Sequence, residues 1–170
     1  APGDAASSTP PASFNGDISG TWTIAAGSQA GYRVREQLAS LPAESDAVGR
    51  TDQVSGSITV TSDGTTTTVT EGSLTVETTA ITSDESRRDN RMRTEGLQTD
   101  EFPTATFTLT QPIDVPAAAL SGTASDIALV GDLSLHGVTK SVEIPAQAQL
   151  VDGQIQVAGS VTFPLSDFAI

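Results

Sequence analysis

Residues 131–163 read GDLSLHGVTKSVEIPAQAQLVDGQIQVAGSVTF, and apolar and polar side chains alternate through most of this stretch. A period of two is typical of β-strands that bury one face. The pairs His136-Gly137 and Asp152-Gly153 interrupt the alternation at two places where a hairpin would turn. The stretch therefore predicts three consecutive antiparallel strands, at about 126–135, 140–150 and 154–163.

The same alternation continues towards the N-terminus and gives five further strands. Asp63-Gly64 is a hairpin turn signal between two of them, and Phe102-Pro103 forces extended backbone before the strand that carries Phe107. The sequence thus predicts an all-β domain, an eight-stranded antiparallel up-and-down barrel of the lipocalin-like kind, because closure removes exposed strand edges. A β-sandwich is the alternative architecture. The five strands lie at about 20–26, 30–38, 47–60, 65–79 and 104–111.

One short helix, over residues 84–95, is predicted outside the barrel wall. Thr82 and Glu85 have the spacing of a capping box, in which side chains satisfy the first free N–H groups of a helix. Gly96 stands where such a helix would end. The segment is mostly polar, and Met92 is its one large apolar side chain.

The predicted helix carries four arginines, which are half of the eight basic residues of the chain. Arg88 and Arg93 each follow an aspartate by four residues, the order that favours an ion pair on a helix. Arg87 and Arg91 remain as candidates for contact with a phosphate headgroup or an anionic membrane.

Residues 1–17 are rich in Pro, Ala, Ser and Gly and have no periodic apolar face. We predict that they form a flexible exported tether and that residues 18–170 form the folded domain. Deletion of the tether is expected to leave stability almost unchanged, because nothing in it can join a core. The chain begins with Ala1 rather than Met, as expected if an upstream signal peptide or membrane anchor has been removed.

The composition of the chain argues against several kinds of functional site. The net charge of −13 disfavours nucleic acid, which is recognised through a basic surface. The absence of cysteine excludes disulfides, thiolate metal sites and cysteine nucleophiles, and one histidine leaves a metal ion mainly oxygen ligands. No apolar run reaches the roughly 18 residues of a membrane-spanning helix. The abundant Thr, Ser, Ala and Gly suit an extracellular β-protein.

His136, the only histidine, shares a strand face with Asp132 and Ser134. These are the residue types of a catalytic triad, but successive side chains on one strand face cannot converge as nucleophile, base and orienting group. We therefore predict that His136 stabilises the turn that it begins and that the protein is not an enzyme. Leu133 and Leu135 take the opposite face and are expected to point into the barrel.

Whether the interior of the barrel is filled or hollow distinguishes two kinds of function. An eight-stranded barrel either fills with side chains or holds one small ligand. The chain has seven aromatic residues, and most other candidate inward residues are Val, Leu, Ile, Ala or Thr. Such modest side chains leave an apolar void, which accepts apolar guests, or they pack tightly without one. The residues alone leave both alternatives open.

Four motifs follow one another along the chain. GDLSLHGVTKSVEI (131–144) resembles the strand–turn–strand signature of the YceI-like polyisoprenoid-binding family. SRRDNRM (86–92) is similar to the Arg-Asp helix motif of that family, EFPTATF (101–107) to its Phe-Pro strand, and SDFAI (166–170) to its closing segment. The resemblance covers about residues 20–170, essentially the whole domain.

The resemblance implies a barrel that holds a long-chain isoprenoid lipid, a quinone or a prenyl phosphate, in an apolar tunnel. It implies binding, storage or transport in the cell envelope or outside the cell, without catalysis or a catalytic cofactor. Transient contact with a membrane and homodimerisation are further expected interactions, and a structural or adhesive surface domain with a filled barrel is the alternative function. The candidate ligand-binding residues are apolar side chains of the strands and of the helix region: Tyr32, Val34, Met92, Leu97, Phe102, Phe107, Leu109, Leu133, Leu135 and Phe163.

Overall fold

The computed structural model describes residues 4–9, 18–37, 44–63 and 65–170, and most of these residues lie in antiparallel strands. None of the helices in the described part of the chain is long and apolar enough to cross a membrane. The strands are β1 (Asp4–Thr9), β2 (Gly20–Ile24), β3 (Ala30–Gln37), β4 (Glu44–Thr51), β5 (Val54–Ser62), β6 (Thr67–Glu77), β7 (Thr104–Leu109), β8 (Ile113–Asp114), β9 (Ser125–Leu135), β10 (Val138–Val151) and β11 (Gln154–Gly159). The helical segments are a 3-10 turn (Thr78–Ala80), α1 (Ser86–Arg91) with a π-helical turn after it (Met92–Gly96), α2 (Ala117–Leu120) and a second 3-10 turn (Leu165–Phe168).

Eight of the described strands pair in a closed ring. Starting from β5, the neighbours are β2, β1, β11, β10, β9, β7 and β6, and β6 pairs with β5 again. The ring confirms the predicted antiparallel barrel, because each of its strands is paired on both sides. β3 and β4 form a separate two-stranded sheet, and the short β8 pairs with the first residues of β6.

The strand predicted at 47–60 is wrong, because two strands in different sheets occupy it. The chain bends at Asp52, where the Thr51 hydroxyl accepts a hydrogen bond from the Gln53 N–H at 2.9 Å. Val54 N–H donates to the Asp52 carbonyl oxygen, also at 2.9 Å. After this bend β5 enters the barrel beside β2, whereas β3 and β4 lie outside the ring.

Residues 4–9 lie in the segment that was predicted to be a flexible tether, and here the structure differs. They form β1, which pairs with β11 from Asp4 to Ser8 and with β2 at Ser8 and Thr9. Strand pairing uses backbone N–H and C=O groups, so the segment joins the ring without an apolar period. Residues 1–3 and 10–17 lie outside the described residues, and the tether stays a prediction for them.

The predicted helix forms, but its N-terminal cap is a different residue. Glu85 is the cap, and its carboxylate accepts a hydrogen bond from the Arg87 N–H at 3.1 Å. Thr82 exchanges two backbone hydrogen bonds with Arg50 of β4, at 2.9 and 3.0 Å. The predicted capping box is therefore wrong, because Thr82 is held by strand pairing away from the helix start. The helical turns end at Gly96, as predicted.

Two of the predicted hairpin turns have the backbone conformation that tight hairpins require. The φ angles are 53° at His136 and 74° at Gly137, and 51° at Asp152 and 73° at Gly153. Positive φ at both central residues is the type I′ arrangement, which matches the twist of the flanking strands. The first turn joins β9 to β10 and the second joins β10 to β11.

The turn predicted at Asp63-Gly64 joins β5 to β6, although Gly64 lies outside the described residues. The Asp63 carboxylate accepts hydrogen bonds from the N–H groups of Thr66 at 2.6 Å and Thr65 at 2.8 Å. These donors, Thr66 foremost, lower the pKa of the Asp63 carboxyl below its usual value. The carboxylate is therefore the form that closes this turn.

The core lies inside the ring and is centred on Trp22 of β2. The Trp22 side chain is fully buried, and its indole N–H donates to the Ile18 carbonyl oxygen at 2.8 Å. The indole is thus buried with its polar group satisfied. Val60, Val69 and Ile113 complete the buried cluster around it.

Deleting residues 1–9 should lower the melting temperature, because it leaves the facing edges of β2 and β11 unpaired. We expect a fall of more than about 4 °C, which corresponds to more than roughly 1 kcal/mol in a domain of this size. Thermal unfolding followed by circular dichroism measures the change. Deletion of residues 1–3 alone is the control, since it leaves β1 in place. An unchanged melting temperature after the larger deletion would restore the tether interpretation.

Candidate functional site

An apolar cavity of about 170 Å³ lies inside the ring, beside the Trp22 core. β7, β9 and β11 contribute residues at alternate positions, as the period of two predicts, whereas β5, β6 and β10 also contribute neighbouring residues. The cavity volume is close to that of an engineered apolar cavity of about 150 Å³ that stays dry and binds benzene. The larger wall side chains that line it are Ile24, Ile58, Leu74, Phe107, Leu109, Ile127, Leu129, Leu150 and Ile155.

The chemistry of the cavity is that of a hydrocarbon site. Ser57, Ser73 and Gln149 are the polar residues of its lining, and no charged residue belongs to that lining. Within the described part of the chain, no group of three or more His, Cys, Asp or Glu side chains is placed to hold a metal ion. The cavity therefore offers contact area to an apolar guest rather than groups that transfer protons or bind ions.

Residues 111–124, which we call the strap, close one end of the barrel. β8 of the strap pairs with the beginning of β6, where the Val115 N–H donates to the Thr67 carbonyl oxygen at 2.9 Å. α2 of the strap lies against β10. The strap thus crosses the barrel end from β6 to β10, and four of its residues line the cavity: Ile113, Val115, Ala119 and Leu120.

Two of the predicted ligand-binding residues, Phe107 and Leu109, line the cavity. Leu133 and Leu135 lie on the same face of β9 as Leu129, and Leu133 is the cross-strand partner of Phe107. Neither of them belongs to the cavity lining, because the void ends before it reaches the turn between β9 and β10.

Three further predicted residues lie outside the barrel interior. Tyr32 and Val34 belong to β3, which is outside the ring, and the Tyr32 ring covers Gly49 of β4. Phe163 was predicted to end the last strand, but β11 ends four residues before it. Its ring packs against that of Phe168, with centroids 4.7 Å apart.

The remaining predicted residues belong to the connection between β6 and β7, at the barrel end opposite the strap. Met92 lies over Gly96, and Leu97 is buried in this connection. The Phe102 ring meets the His136 ring edge to face, with centroids 4.7 Å apart. None of the three lines the cavity, because the connection leaves the barrel wall where β6 ends and returns only at β7.

His136 fastens this opposite end. Its Nδ1 lies 3.0 Å from the Phe168 carbonyl oxygen, which can only accept, so Nδ1 is the donor. Its Nε2 lies 2.7 Å from the side-chain amide of Gln98, which is the second hydrogen-bond partner of the ring. The Ser134 hydroxyl instead lies 2.5 Å from the hydroxyl of Thr139. Serine and histidine of the apparent triad thus have separate partners, and His136 joins three chain segments.

The two ion pairs predicted for α1 have different outcomes. Arg88 pairs with Asp84 at 2.7 Å, as predicted. Asp89 accepts hydrogen bonds from the N–H and the hydroxyl of Ser83, at 2.9 and 2.6 Å. The predicted pair of Asp89 with Arg93 is therefore wrong, because the buried carboxylate holds the chain segment that precedes the helix.

The two candidate headgroup residues lie away from the cavity. Arg87 is exposed, and Arg91 pairs with Glu95 at 3.0 Å with both side chains largely in solvent. No residue of 75–106 belongs to the cavity lining. The structure therefore does not bring either arginine to the apolar site.

Sequence reasoning missed the strap and most of the wall residues that line the cavity. The strap reads QPIDVPAAALSGTA, in which prolines and alanines hide the apolar residues that close the barrel. The apolar positions between Pro112 and Leu120 are the signal that would have indicated a buried segment. On the walls, Ile58, Leu74 and Ile155 belong to the predicted alternation, but they are not among the predicted ligand-binding residues.

Replacing His136 with Asn should destabilise the protein while keeping the turn, since Asn tolerates positive φ. The substitution removes both ring hydrogen bonds, and we expect a loss of about 1–3 kcal/mol. Thermal unfolding would show a melting temperature lowered by about 2–4 °C for each kcal/mol. Ser134→Ala, which removes only an exposed side-chain hydrogen bond, serves as the control. Equal melting temperatures for the Asn variant and the parent would contradict the fastening role.

Comparison with known proteins places the chain among relatives of similar sequence. A UPF0312 protein of Shewanella baltica is 33% identical over 131 residues, which cover 72% of this chain and 63% of that protein. A UPF0312 protein of Shewanella denitrificans is 33% identical over 103 residues, which cover 56% of this chain and 50% of that protein. The chain thus spans less than two thirds of the length of these relatives.

Solved structures share the fold at low sequence identity. A polyisoprenoid binding domain from Saccharophagus degradans has a TM-score of 0.59 at 20% identity, over 83% of this chain and 76% of that one. BcnA of Burkholderia cenocepacia has a TM-score of 0.61 at 15% identity, over 82% and 80% of the two chains. The family model of the YceI-like domain matches residues 22–170. This range includes the wall strands apart from β1 and the first two residues of β2. This chain therefore belongs to the YceI-like domain family.

Proposed function

We propose that the protein binds a long-chain isoprenoid lipid, a quinone or a prenyl phosphate, in the barrel cavity and that it stores or transports this lipid in the cell envelope. The observation that carries the proposal is an apolar cavity without any charged residue in its lining. A prenyl chain has no polar group along its length, so this lining matches it in chemistry. The Saccharophagus relative of the same fold is a polyisoprenoid binding domain, which supports the same ligand class.

Apolar burial provides the driving force for such a ligand. A prenyl chain that buries about 600 Å² at roughly 25 cal/mol per Å² gains about 15 kcal/mol before costs. Loss of rotational and translational freedom and ordering of the chain remove a large part of that gain. Affinity thus depends on the apolar area that the barrel encloses and only secondarily on the headgroup.

A second candidate function is a structural or adhesive surface domain with a filled barrel. The size of the cavity is the observation that favours it, because about 170 Å³ is close to the volume that holds a benzene molecule. A long prenyl chain needs more room than this. The two functions therefore differ in whether the barrel takes up a prenyl lipid at all.

Replacing Leu129 with Trp should reduce lipid uptake, because the larger side chain fills the cavity. The ligand is a quinone that carries a geranylgeranyl chain, and titration with native mass spectrometry measures the bound fraction. Leu135→Trp is the matched control, since Leu135 lies on the same strand and face but outside the cavity lining. Each substitution is expected to cost about 1–3 kcal/mol through overpacking, so instability alone cannot distinguish them.

The pair of variants separates the two candidate functions. Uptake by the parent and by Leu135→Trp, with loss in Leu129→Trp, supports the lipid-binding function. Absence of uptake by the parent supports the filled barrel. Equal uptake by the Leu129→Trp variant and the parent would show that the lipid does not occupy this cavity.

Changing Arg87 and Arg91 together to Gln should leave uptake of both ligand types unchanged. Both arginines are exposed, Arg91 is paired with Glu95, and neither lines the cavity. The measurement compares geranylgeranyl phosphate with the quinone that carries the same prenyl chain. A loss that affects the phosphate alone would place its headgroup at α1 and would confirm the role predicted from the sequence.

A further inference from the structure

We propose that the strap (residues 111–124) is a lid under which the prenyl chain enters the barrel, an inference that rests on the lipid-binding function proposed above. The lid opens when β8 separates from β6 and α2 lifts away from β10. Opening widens access to the cavity, which is already partly open, and it makes room for a chain that the barrel cannot hold with the strap in place. The position of the strap, its attachment to the barrel and the volume of the cavity beneath it each support this role.

The cavity lies directly under the strap. Ile113, Val115, Ala119 and Leu120 of the strap form part of its lining. No residue of 75–106 or of 158–170 belongs to the lining, so the cavity does not reach the opposite end of the barrel. The strap therefore covers the end of the barrel at which the cavity lies.

The strap is attached to the barrel by few directional bonds. β8 is two residues long, and the Val115 N–H bond to the Thr67 carbonyl oxygen extends its pairing with β6 by one residue. The hydrogen bonds that the structure shows for residues 116–122 stay within residues 116–123. The remaining attachment of the strap is apolar: α2 lies against β10, and Val115 and Leu120 pack against the core cluster that contains Ile113. Core strands with full ladders open only at the global free energy of unfolding, whereas a segment with so little pairing opens at a lower one, and the buried contacts of Ile113 are what this opening must break.

The opposite end of the barrel is fastened in another way. His136 bonds to the Phe168 carbonyl oxygen and to Gln98, and Lys140 lies 3.8 Å from Asp167. The Phe168 side chain is almost completely buried there. Opening this end requires several directional bonds and a large aromatic contact to be lost together, so it is the fixed end.

The volume of the cavity with the strap in place provides the third argument. About 170 Å³ accommodates a guest of roughly the size of benzene, which is a small part of a long prenyl chain. The strap side chains fill the barrel end that a longer guest would need. Pro112 and Pro116 flank β8, and their fixed φ makes this part of the strap stiff. Displacement of the strap as a unit therefore removes several apolar side chains from the barrel end at once.

A disulfide between positions 68 and 114 should lock the lid. Thr68 and Asp114 are directly opposed across β6 and β8, next to the hydrogen-bonded pair of Thr67 and Val115. Pairs alternate along an antiparallel ladder, so Thr68 and Asp114 form a non-hydrogen-bonded pair with Cα atoms about 4.5 Å apart, which a disulfide can span. The chain has no cysteine, so Thr68→Cys with Asp114→Cys introduces the only thiols.

Uptake of the geranylgeranyl quinone is then followed in the oxidised and the reduced forms of this variant. We expect the oxidised form to take up the quinone at least about tenfold more slowly, because the disulfide blocks local opening of the strap. Reduction is expected to restore the uptake rate of the parent. Ser134→Cys with Thr139→Cys is the matched control. It links a non-hydrogen-bonded pair of β9 and β10 at the fixed end, and its oxidation should leave uptake unchanged. Equal rates for both redox forms of the 68–114 variant would overturn the lid.

Amide hydrogen exchange tests the lid without any ligand. The Val115 amide should exchange much faster than the amides of the β9–β10 ladder in the parent, and oxidation of the 68–114 variant should slow it towards the ladder rate. Val115 exchange that already equals the ladder rate in the parent would show that the strap does not open. Absence of uptake of both the quinone and geranylgeranyl phosphate by the parent would refute the lipid-binding function, whereas the exchange result would still decide whether the strap moves.

Discussion

Closure of the hydrogen-bond ladder is the constraint on which the rest of the structure depends. Seven wall strands have a side-chain pattern that turns one face inwards, but β2 and β11 would present open edges to solvent without an eighth strand. β1 fills this gap through its backbone. Once the ring is closed, the rotation of each strand is set by both of its neighbours. Every second wall residue is then committed to the interior, and this determines what the barrel can contain.

The interior is filled unevenly. Trp22 occupies one side and is fixed by its bond to the Ile18 carbonyl oxygen. On β9, Gly131 holds an inward position where a Cβ would overlap the Thr108 carbonyl oxygen, and the Phe107 ring covers it. Two large aromatic rings thus fill the middle of the barrel. The void is left where Val, Leu and Ile meet the strap, which explains why the cavity lies near that end.

The sequence predicted those parts of the fold in which a local pattern and the tertiary structure agree. The type I′ turns at His136 and Asp152 and the alternation around them are local signals, and both form. The break at Asp52 was not predicted, because the strands on each side of it keep the same period although they belong to different sheets. β1 has no side-chain signal, since its pairing depends only on the edges that residues far along the chain provide.

The candidate site was harder to predict than the walls for a related reason. A cavity is the volume that side chains leave empty, so it depends on how residues from many strands fill space together. Of the aromatic residues predicted to bind the ligand, Phe102 and Phe163 pack at the fixed end, where rings stabilise connections. The branched aliphatic residues that line the void, such as Leu129 and Ile155, have no property that distinguishes them from ordinary core residues.

The distribution of charge bears on which headgroup suits the protein. A lipid that enters under the strap leaves its headgroup beside that end, where Asp114, Asp126 and Glu143 line one surface depression. Arg87 and Arg91 lie beyond the other end of β6, which is 11 residues long and therefore spans roughly 35 Å. At this distance salt screens their attraction almost completely. The proposed lid therefore predicts stronger uptake of an isoprenoid quinone than of a prenyl phosphate, because the nearby carboxylates repel a phosphate and leave a neutral ring unaffected.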